Sequence, residues 1–212
     1  MAKDAYFSRA EVSNSDLSWL KKYWIPERQV YDIEEAYRFG TLVDAIITEP
    51  HKVDYYKFTV DGVRYNKTEF DKAIEMKKAF MSDALCKRLV DVSEMQKFMT
   101  KQMHFNYGGV EFTLNTRCKW DLWWSAQNWG GDIKSTTATT QIQFEEACRH
   151  FDYDRQRAWY MDIAESNQDI LIGISKVNKK VFKLPIKRGD DFYNSGKEKY
   201  SEPAFKWWYL FA

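Results

Sequence analysis

Apolar residues recur along this chain with two different periods, and the change from one to the other divides it. Leu17, Trp19, Leu20, Tyr23 and Trp24 recur at helical spacing behind Ser13-Asn14-Ser15-Asp16, residues suited to capping a helix N-terminus, and Pro26 ends that helix. A second helix is expected from Asp32 to Glu49, with Phe39, Leu42, Val43, Ile46 and Ile47 on one face, Gly40 inside it and Pro50 as its stop. His51 to Lys67 reads as irregular or short-stranded, with Asp61-Gly62 turning a hairpin between Tyr55–Val60 and Val63–Tyr65. Helices follow from Thr68 to about Met81 and from Ser82 or Ser93 to Met99.

From residue 100 the period falls to two. Gln102–Tyr107 and Gly109–Leu114 alternate around Gly108-Gly109, and the run Thr116–Trp124 follows, so three strands are expected before the strand carrying Asp132. A helix with Phe144, Ala147, Cys148 and Phe151 facing inward should begin near Thr139 or Thr140, break near Asp152, and give way to another from Tyr153 to Glu165. Ile170–Val177 and Lys180–Lys187 form a last hairpin around Asn178-Lys179, with Pro185 placing the second strand at an edge. The aromatic run Ala204–Phe211 is expected to pack onto the domain, with base stacking or oligomer contacts as alternatives. The pattern suggests one domain over 1–212: a helical part over about 13–99, a sheet core over about 100–187 and a tail over about 188–212.

Composition changes this picture little. With 44% hydrophobic and 17% aromatic residues, 212 residues can build a substantial core. The mean hydropathy of -0.62, the absence of a signal-peptide-like apolar core in Met1–Tyr6 and the lack of any membrane-spanning run point to a cytoplasmic, non-membrane protein. Cys86, Cys118 and Cys148 are too few and too scattered for a disulfide framework and read as reduced thiols. A net charge of +1 argues against a dedicated high-affinity DNA-binding domain, but leaves room for an enzyme that needs only a local basic surface. Lys72, Lys77-Lys78 and Lys87-Arg88 are the basic clusters, a solvated face by default and a DNA-backbone contact otherwise.

The candidate chemistry lies in Gly131-Asp132-Ile133-Lys134-Ser135-Thr136. On a strand Asp132 and Lys134 project from one face, about 7 Å apart. Asp121 sits eleven residues upstream in the preceding strand, across a connection rich in Asn and Gly. If the two strands pair, two carboxylates and a lysine converge, a suitable site for a hard divalent cation and a phosphate. The bland alternative is a surface Asp132–Lys134 pair with Asp121 apart from it. The other acid-x-Lys triplet, Glu75-Met76-Lys77, falls in a helix, so the triplet alone says little.

The order of these features resembles the PD-(D/E)xK nuclease superfamily, and within it the RecB-like branch with its RecE-type phage exonucleases, as an exodeoxyribonuclease VIII-like domain. Tyr153–Tyr160 is similar to that branch's Gln-x-x-x-Tyr helix, and Phe39–Pro50 to its early Gly-containing helix, the likeness spanning roughly Ser13 to Ala164. The resemblance implies a restriction-endonuclease-like α/β core, a mixed sheet flanked by helices. It implies an exodeoxyribonuclease dependent on Mg²⁺ or Mn²⁺ and acting on DNA in phage or bacterial recombination or repair. Asp121, Asp132 and the Ile133 carbonyl would ligate the metal, Lys134 would position or help deprotonate water, and Gln156 and Tyr160 would face the nucleic acid or the attacking water. Asp44 stands where many of these relatives have a metal-binding His; a carboxylate there is a harder ligand. Read on residues alone, Asp44 is a solvated helix acid, and Gln156 and Tyr160, stacked four apart, are packing residues. Some relatives carry an iron–sulfur cluster on four cysteines; three exclude it within one chain. The family also implies a ring-shaped homo-oligomer and a single-strand annealing partner. Two other readings stay open: a catalytically silent relative that binds DNA ends or a recombination partner, and an interaction domain built on the aromatic C-terminus.

Overall fold

The structure is a computed structural model that describes residues 9–24 and 33–212, without the side chains of 22–24 and 33–34. The expected stop at Pro26 and start at Asp32 lie outside the described residues, as do the side chains of Tyr23 and Trp24.

A five-stranded mixed sheet organises the molecule. Its strands are β4 (Glu94–Tyr107), β5 (Val110–Trp124), β6 (Trp129–Thr136), β7 (Gln168–Ser175) and β8 (Val181–Lys187), in that spatial order. Only β6 and β7 run parallel, and α5 (Gln141–His150) and α6 (Tyr153–Ala164) make the crossover between them. The sheet is covered on both faces. α1 (Asn14–Trp24), α5, α6 and α7 (Asp191–Phe211) pack on one side against Cys118, Trp120 and Leu171. α2 (Ile33–Thr48), α3 (Lys67–Ser82) and α4 (Ala84–Val92) pack on the other against Leu122, Ile133, Ile170, Ile172 and Ile174. Burial on both faces is why Ile170–Ile174 is a continuous apolar run rather than an alternating one. A small sheet, β1 (Val53–Asp54), β2 (Thr59–Val60) and β3 (Val63–Arg64), caps the second core, its β2–β3 turn formed by Asp61-Gly62 as expected.

Five expectations are corrected. Residues 94–99 are strand, not helix: Glu, Met, Gln and Lys favour helix weakly, and pairing along thirteen positions of β5, from Glu94↔Trp123 to Tyr107↔Val110, overrides them. Residues 110–124 form a single strand, so two strands precede β6 instead of three. The short helix before β4 is Ala84–Val92, capped by the Asp83 side chain. The tail from 188 is mostly the 21-residue helix α7, which packs Phe205 on Tyr107 and Trp208 on Phe112, ring centroids 5.2 and 5.1 Å apart. Phe151, expected inward, is exposed. The hairpin of β7 with β8, with Pro185 on the edge strand, agrees with the sequence.

Gly196 permits the α6–α7 contact, because a Cβ there would press into the backbone carbonyl of Asp154. Backbone cannot yield as a side-chain tip can, so Gly196→Ala should cost about 1–3 kcal/mol. A chemical-denaturation midpoint unchanged from wild type would contradict that packing.

Candidate active site

The site forms where β5 and β6 part. Their ladder holds only Trp124↔Trp129, Trp123↔Gly130 and Leu122↔Gly131, and the next positions in register are Asp121 and Asp132. Gly130 allows this close approach, since a Cβ would strike the Leu122 carbonyl and the Trp120 ring. Past the fork, Asp121 replaces the missing strand contact: its Oδ2 accepts the Ile133 backbone N–H at 2.7 Å. In an extended residue N–H and C=O point to the same side, so the Ile133 carbonyl is aimed at the same opening.

On the other flank of Asp121 the β4–β5 ladder skips a step, from Met95↔Leu122 to Lys97↔Trp120. The residue passed over, Gln96, has φ 52°, a left-handed conformation that an ordinary side chain adopts at a cost. It turns its amide toward α2, where Nε2 donates to the Asp44 oxygens at 3.1 and 3.3 Å and to Thr48 Oγ1 at 2.9 Å. The Thr48 hydroxyl donates to Asp44 Oδ1 at 3.0 Å. Asp44 is therefore a held, half-buried group at the opening and not a solvated helix acid.

Asp132 is 2% exposed and sits between two cations. Lys134 Nζ lies 2.5 Å from its Oδ2, and Arg157 NH1 donates to its Oδ1 at 2.9 Å. The same guanidinium donates through Nε to Asp169 Oδ2 at 2.6 Å and lies over the rings of both Trp120 and Tyr160, 4.5 Å from each centroid. Asp132 and Lys134 are thus no solvated surface pair. Lys134 also lies 4.9 Å from the centroid of the Tyr153 ring.

Four carboxylates, Asp44, Asp121, Asp132 and Asp169, face two cations, and the imbalance registers in their proton affinities. Burial, then the charges of Asp44 and Asp132, hold the Asp121 carboxyl well above the usual carboxylate range. Burial pushes Asp44 up to about 6 against the help of Thr48, with Asp132 and Glu49 adding to the rise. Asp169 is raised to about 6 by burial, with Arg157 opposing. Burial alone would lower Lys134, but the charges of Asp132, Tyr153 and Asp121 raise it above the ordinary lysine value, so it stays an ammonium. A carboxylate whose folded pKa exceeds its unfolded one binds a proton more readily when folded, so stability falls as pH rises through that window. Between the ordinary 3.8 and about 6, the metal-free protein should lose stability with increasing pH at these sites. A divalent cation should restore more of the melting temperature at pH 7 than at pH 5. Equal melting shifts on adding Mn²⁺ at the two pH values would contradict this account.

Among the described residues no three His, Cys, Asp or Glu side chains form a ready metal cage. What the opening offers is oxygen alone: the carboxylates of Asp121 and Asp132, the Ile133 carbonyl and, behind them, Asp44. Such a set suits Mg²⁺ or Mn²⁺, which keep several waters and bind through one or two carboxylates plus substrate oxygens.

Five of the residues singled out in the sequence thus meet at the fork: Asp44, Asp121, Asp132, Ile133 and Lys134. Gln156 and Tyr160 lie on α6 behind them. Tyr160 is buried with its ring 5.5 Å from that of Trp120, and Gln156 is half-buried, its Oε1 without a hydrogen-bond partner among the described residues. Arg157, Asp169, Gln96 and Thr48 were not anticipated. Arg157 had a signal, a charge beside Ala158-Trp159 on a helix that must pack inward; the left-handed turn at Gln96 had none. Cys86, Cys118 and Cys148 are buried, unpaired thiols, each pushed up to about 12 chiefly by burial, which leaves little reactive thiolate. No helix among the described residues is long and apolar enough to cross a membrane.

A family model described as a PDDEXK-like domain of unknown function (DUF3799) matches residues 15–201. Among solved structures, SSO0001 is similar at 13% identity and a TM-score of 0.39, over 78% of this chain and 74% of that one. A phage-related exonuclease from Haemophilus somnus 129PT is similar at 12% identity and a TM-score of 0.40, over 77% and 79%. No curated protein matches.

Proposed function

Because this chain belongs to the family of PDDEXK-like domains of unknown function, a nuclease-type family, we propose that it is a Mg²⁺- or Mn²⁺-dependent deoxyribonuclease. The finer reading is an exodeoxyribonuclease of cytoplasmic DNA recombination or repair. One observation carries it: partly exposed Asp121 and Asp44 and buried Asp132 meet Lys134 at a strand fork, with more carboxylate than cation to balance it. The exonuclease assignment, a ring-shaped oligomer and a single-strand annealing partner rest on the sequence resemblance alone.

A phosphodiester resists hydrolysis because its own charge repels nucleophiles and because water is a weak one. A divalent cation held by Asp121, Asp132 and the Ile133 carbonyl, with Asp44 at its outer side, would offset the phosphate charge and lower the pKa of water. The chain's own groups do the rest. Lys134, kept protonated by Asp132, orients water by hydrogen bonding and stabilises charge growing on the phosphate oxygens; it acts as an electrostatic group and not as the base. Arg157 fixes Asp132 Oδ1, and Lys134 reaches Oδ2. Gln96 and Thr48 hold Asp44 in one orientation. Gln156 and Tyr160 back the site through the helix that carries Arg157.

One observation favours a second reading. Both Asp132 oxygens are engaged by cations of the chain itself, as expected of a silent relative that binds DNA ends without cutting. Digestion of 5′- and 3′-labelled linear DNA and of circular DNA in Mg²⁺ and Mn²⁺ separates the readings. Nucleotide release from linear ends with circles spared is the expected result. Nicked circles would replace exonuclease by endonuclease, and bound but intact ends would establish the silent relative.

A further inference from the structure

α2 lies along β6, with Asp44 beside the fork and Gly40, one turn earlier, facing Ser135 at 3.8 Å from where its Cβ would be. Following this seam away from the fork leads to the buried ring of Phe39. Two ammonium groups share it: Lys72 Nζ, from α3, is 5.8 Å from the ring centroid, and Lys176 Nζ is 5.3 Å away. Lys176 follows the last residue of β7, and its backbone N–H, donating to the Thr136 carbonyl at 2.7 Å, fastens it to the end of β6.

Both lysines are half-buried, and neither makes an ion pair with a carboxylate among the described residues. Glu35, exposed in the first turn of α2, is the acid whose charge reaches Lys176, and Lys72 opposes it. Most lysines at this depth have an acid at hand, as Lys52, Lys179 and Lys183 do. Two like charges drawn to one buried aromatic ring, near enough that Lys72 lowers the proton affinity of Lys176, in a seam leading from a phosphodiester site, make a receptor lacking its anion. The five residue steps from Phe39 to Asp44 span about 7.5 Å of helix, on the order of two nucleotide rises along a B-form strand.

Resting on the nuclease reading above, we infer that Lys72 and Lys176, seated on Phe39, bind a backbone phosphate of the DNA strand beyond the one at the fork. They set the path of the strand along the α2–β6 seam. Phe39 holds both ammonium groups through its ring face, so they are placed before DNA arrives. Gly40 keeps the seam free of side chain between the two phosphate positions.

The test is fluorescence anisotropy of a short labelled duplex in calcium buffer over a range of salt. The Lys72→Gln/Lys176→Gln protein keeps bulk against Phe39 while removing both charges. Its control is Lys187→Gln/Lys197→Gln, two exposed lysines, one at the far end of the sheet and one on α7. The first pair should weaken binding for every sequence and lower the slope of log affinity against log salt by about 1, for the single phosphate the two lysines neutralise. The control should keep the wild-type slope. An unchanged slope in the first pair, with wild type binding normally, overturns the subsite and leaves the nuclease reading standing. An equal fall in both pairs also overturns it, as an effect of total charge. Failure of the wild-type protein to bind DNA would overturn the subsite and the DNA-directed function together.

Discussion

Asp132→Asn should reduce metal-dependent DNA cleavage by at least about 10³-fold, on the order of 4 kcal/mol of transition-state stabilisation, while the protein stays folded. Asn keeps the shape and the acceptor that Arg157 NH1 uses, but removes the charge needed to hold a cation and to fix Lys134. Asp121→Asn should behave similarly through a different contact, weakening its grip on the Ile133 N–H as well as on the metal. Lys134→Met should lose cleavage too, and melt lower, because Asp132 Oδ2 would then lie buried without its counter-charge. Cleavage rates within tenfold of wild type in Asp132→Asn, measured alongside an unchanged near-ultraviolet dichroism spectrum, would remove Asp132 from the chemistry.

The second large effect is on stability. Arg157 is wholly buried and neutralises two buried carboxylates at once, Asp132 and Asp169. Removing one partner of such a group leaves uncompensated charge in the interior, at a cost of about 3–5 kcal/mol. For a chain of this length that is roughly 10 °C or more in melting temperature. Arg157→Leu should show this loss. Arg157→Lys should recover little of it, since a single ammonium cannot span both acids as the planar guanidinium does. Adding Asp169→Asn to Arg157→Leu should return part of the stability without restoring cleavage, because Asp132 remains without its clamp. A melting temperature within a degree or two of wild type for Arg157→Leu would show that the network is not what holds the α6–sheet interface.

The site was more legible in the sequence than the architecture around it. Period-two placement puts Asp132 and Lys134 on one face, and an Asn- and Gly-containing connection brings Asp121 back beside them; both are local properties of a strand and a turn. The strand over 94–99 was illegible for the opposite reason: it exists only through its pairing with residues 118–123. Helix α7 was hidden because it contains Gly196 and Pro203, the two residue types of lowest helix propensity. Gly196 is there because the Asp154 backbone passes against it. Arg157 lay within the very helix that carries Gln156 and Tyr160, yet its role depends on Asp169, whose position opposite Gly130 is set by the parallel β6–β7 register. Gln96 is the extreme case, since its backbone conformation is imposed by the fork and leaves no mark in composition or period.

The fork also explains why the acid pair is placed where strand pairing ends. Within a continuous ladder Asp121 and Asp132 would face each other as a repelling pair with their backbone groups already used. Where the ladder stops, the Ile133 N–H is available to Asp121, the carbonyl beside it is available to a ligand, and substrate can reach the gap. Site and fold are therefore coupled through three pairings, Leu122↔Gly131, Trp123↔Gly130 and Trp124↔Trp129.

Crystals soaked in Mn²⁺ and measured at the manganese absorption edge address the central claim directly. The account predicts an anomalous peak within coordination distance of Asp121, Asp132 and the Ile133 carbonyl, with Lys134 drawn back from Asp132 Oδ2. Manganese bound elsewhere, with Asp132 still closed between Lys134 and Arg157, would contradict it.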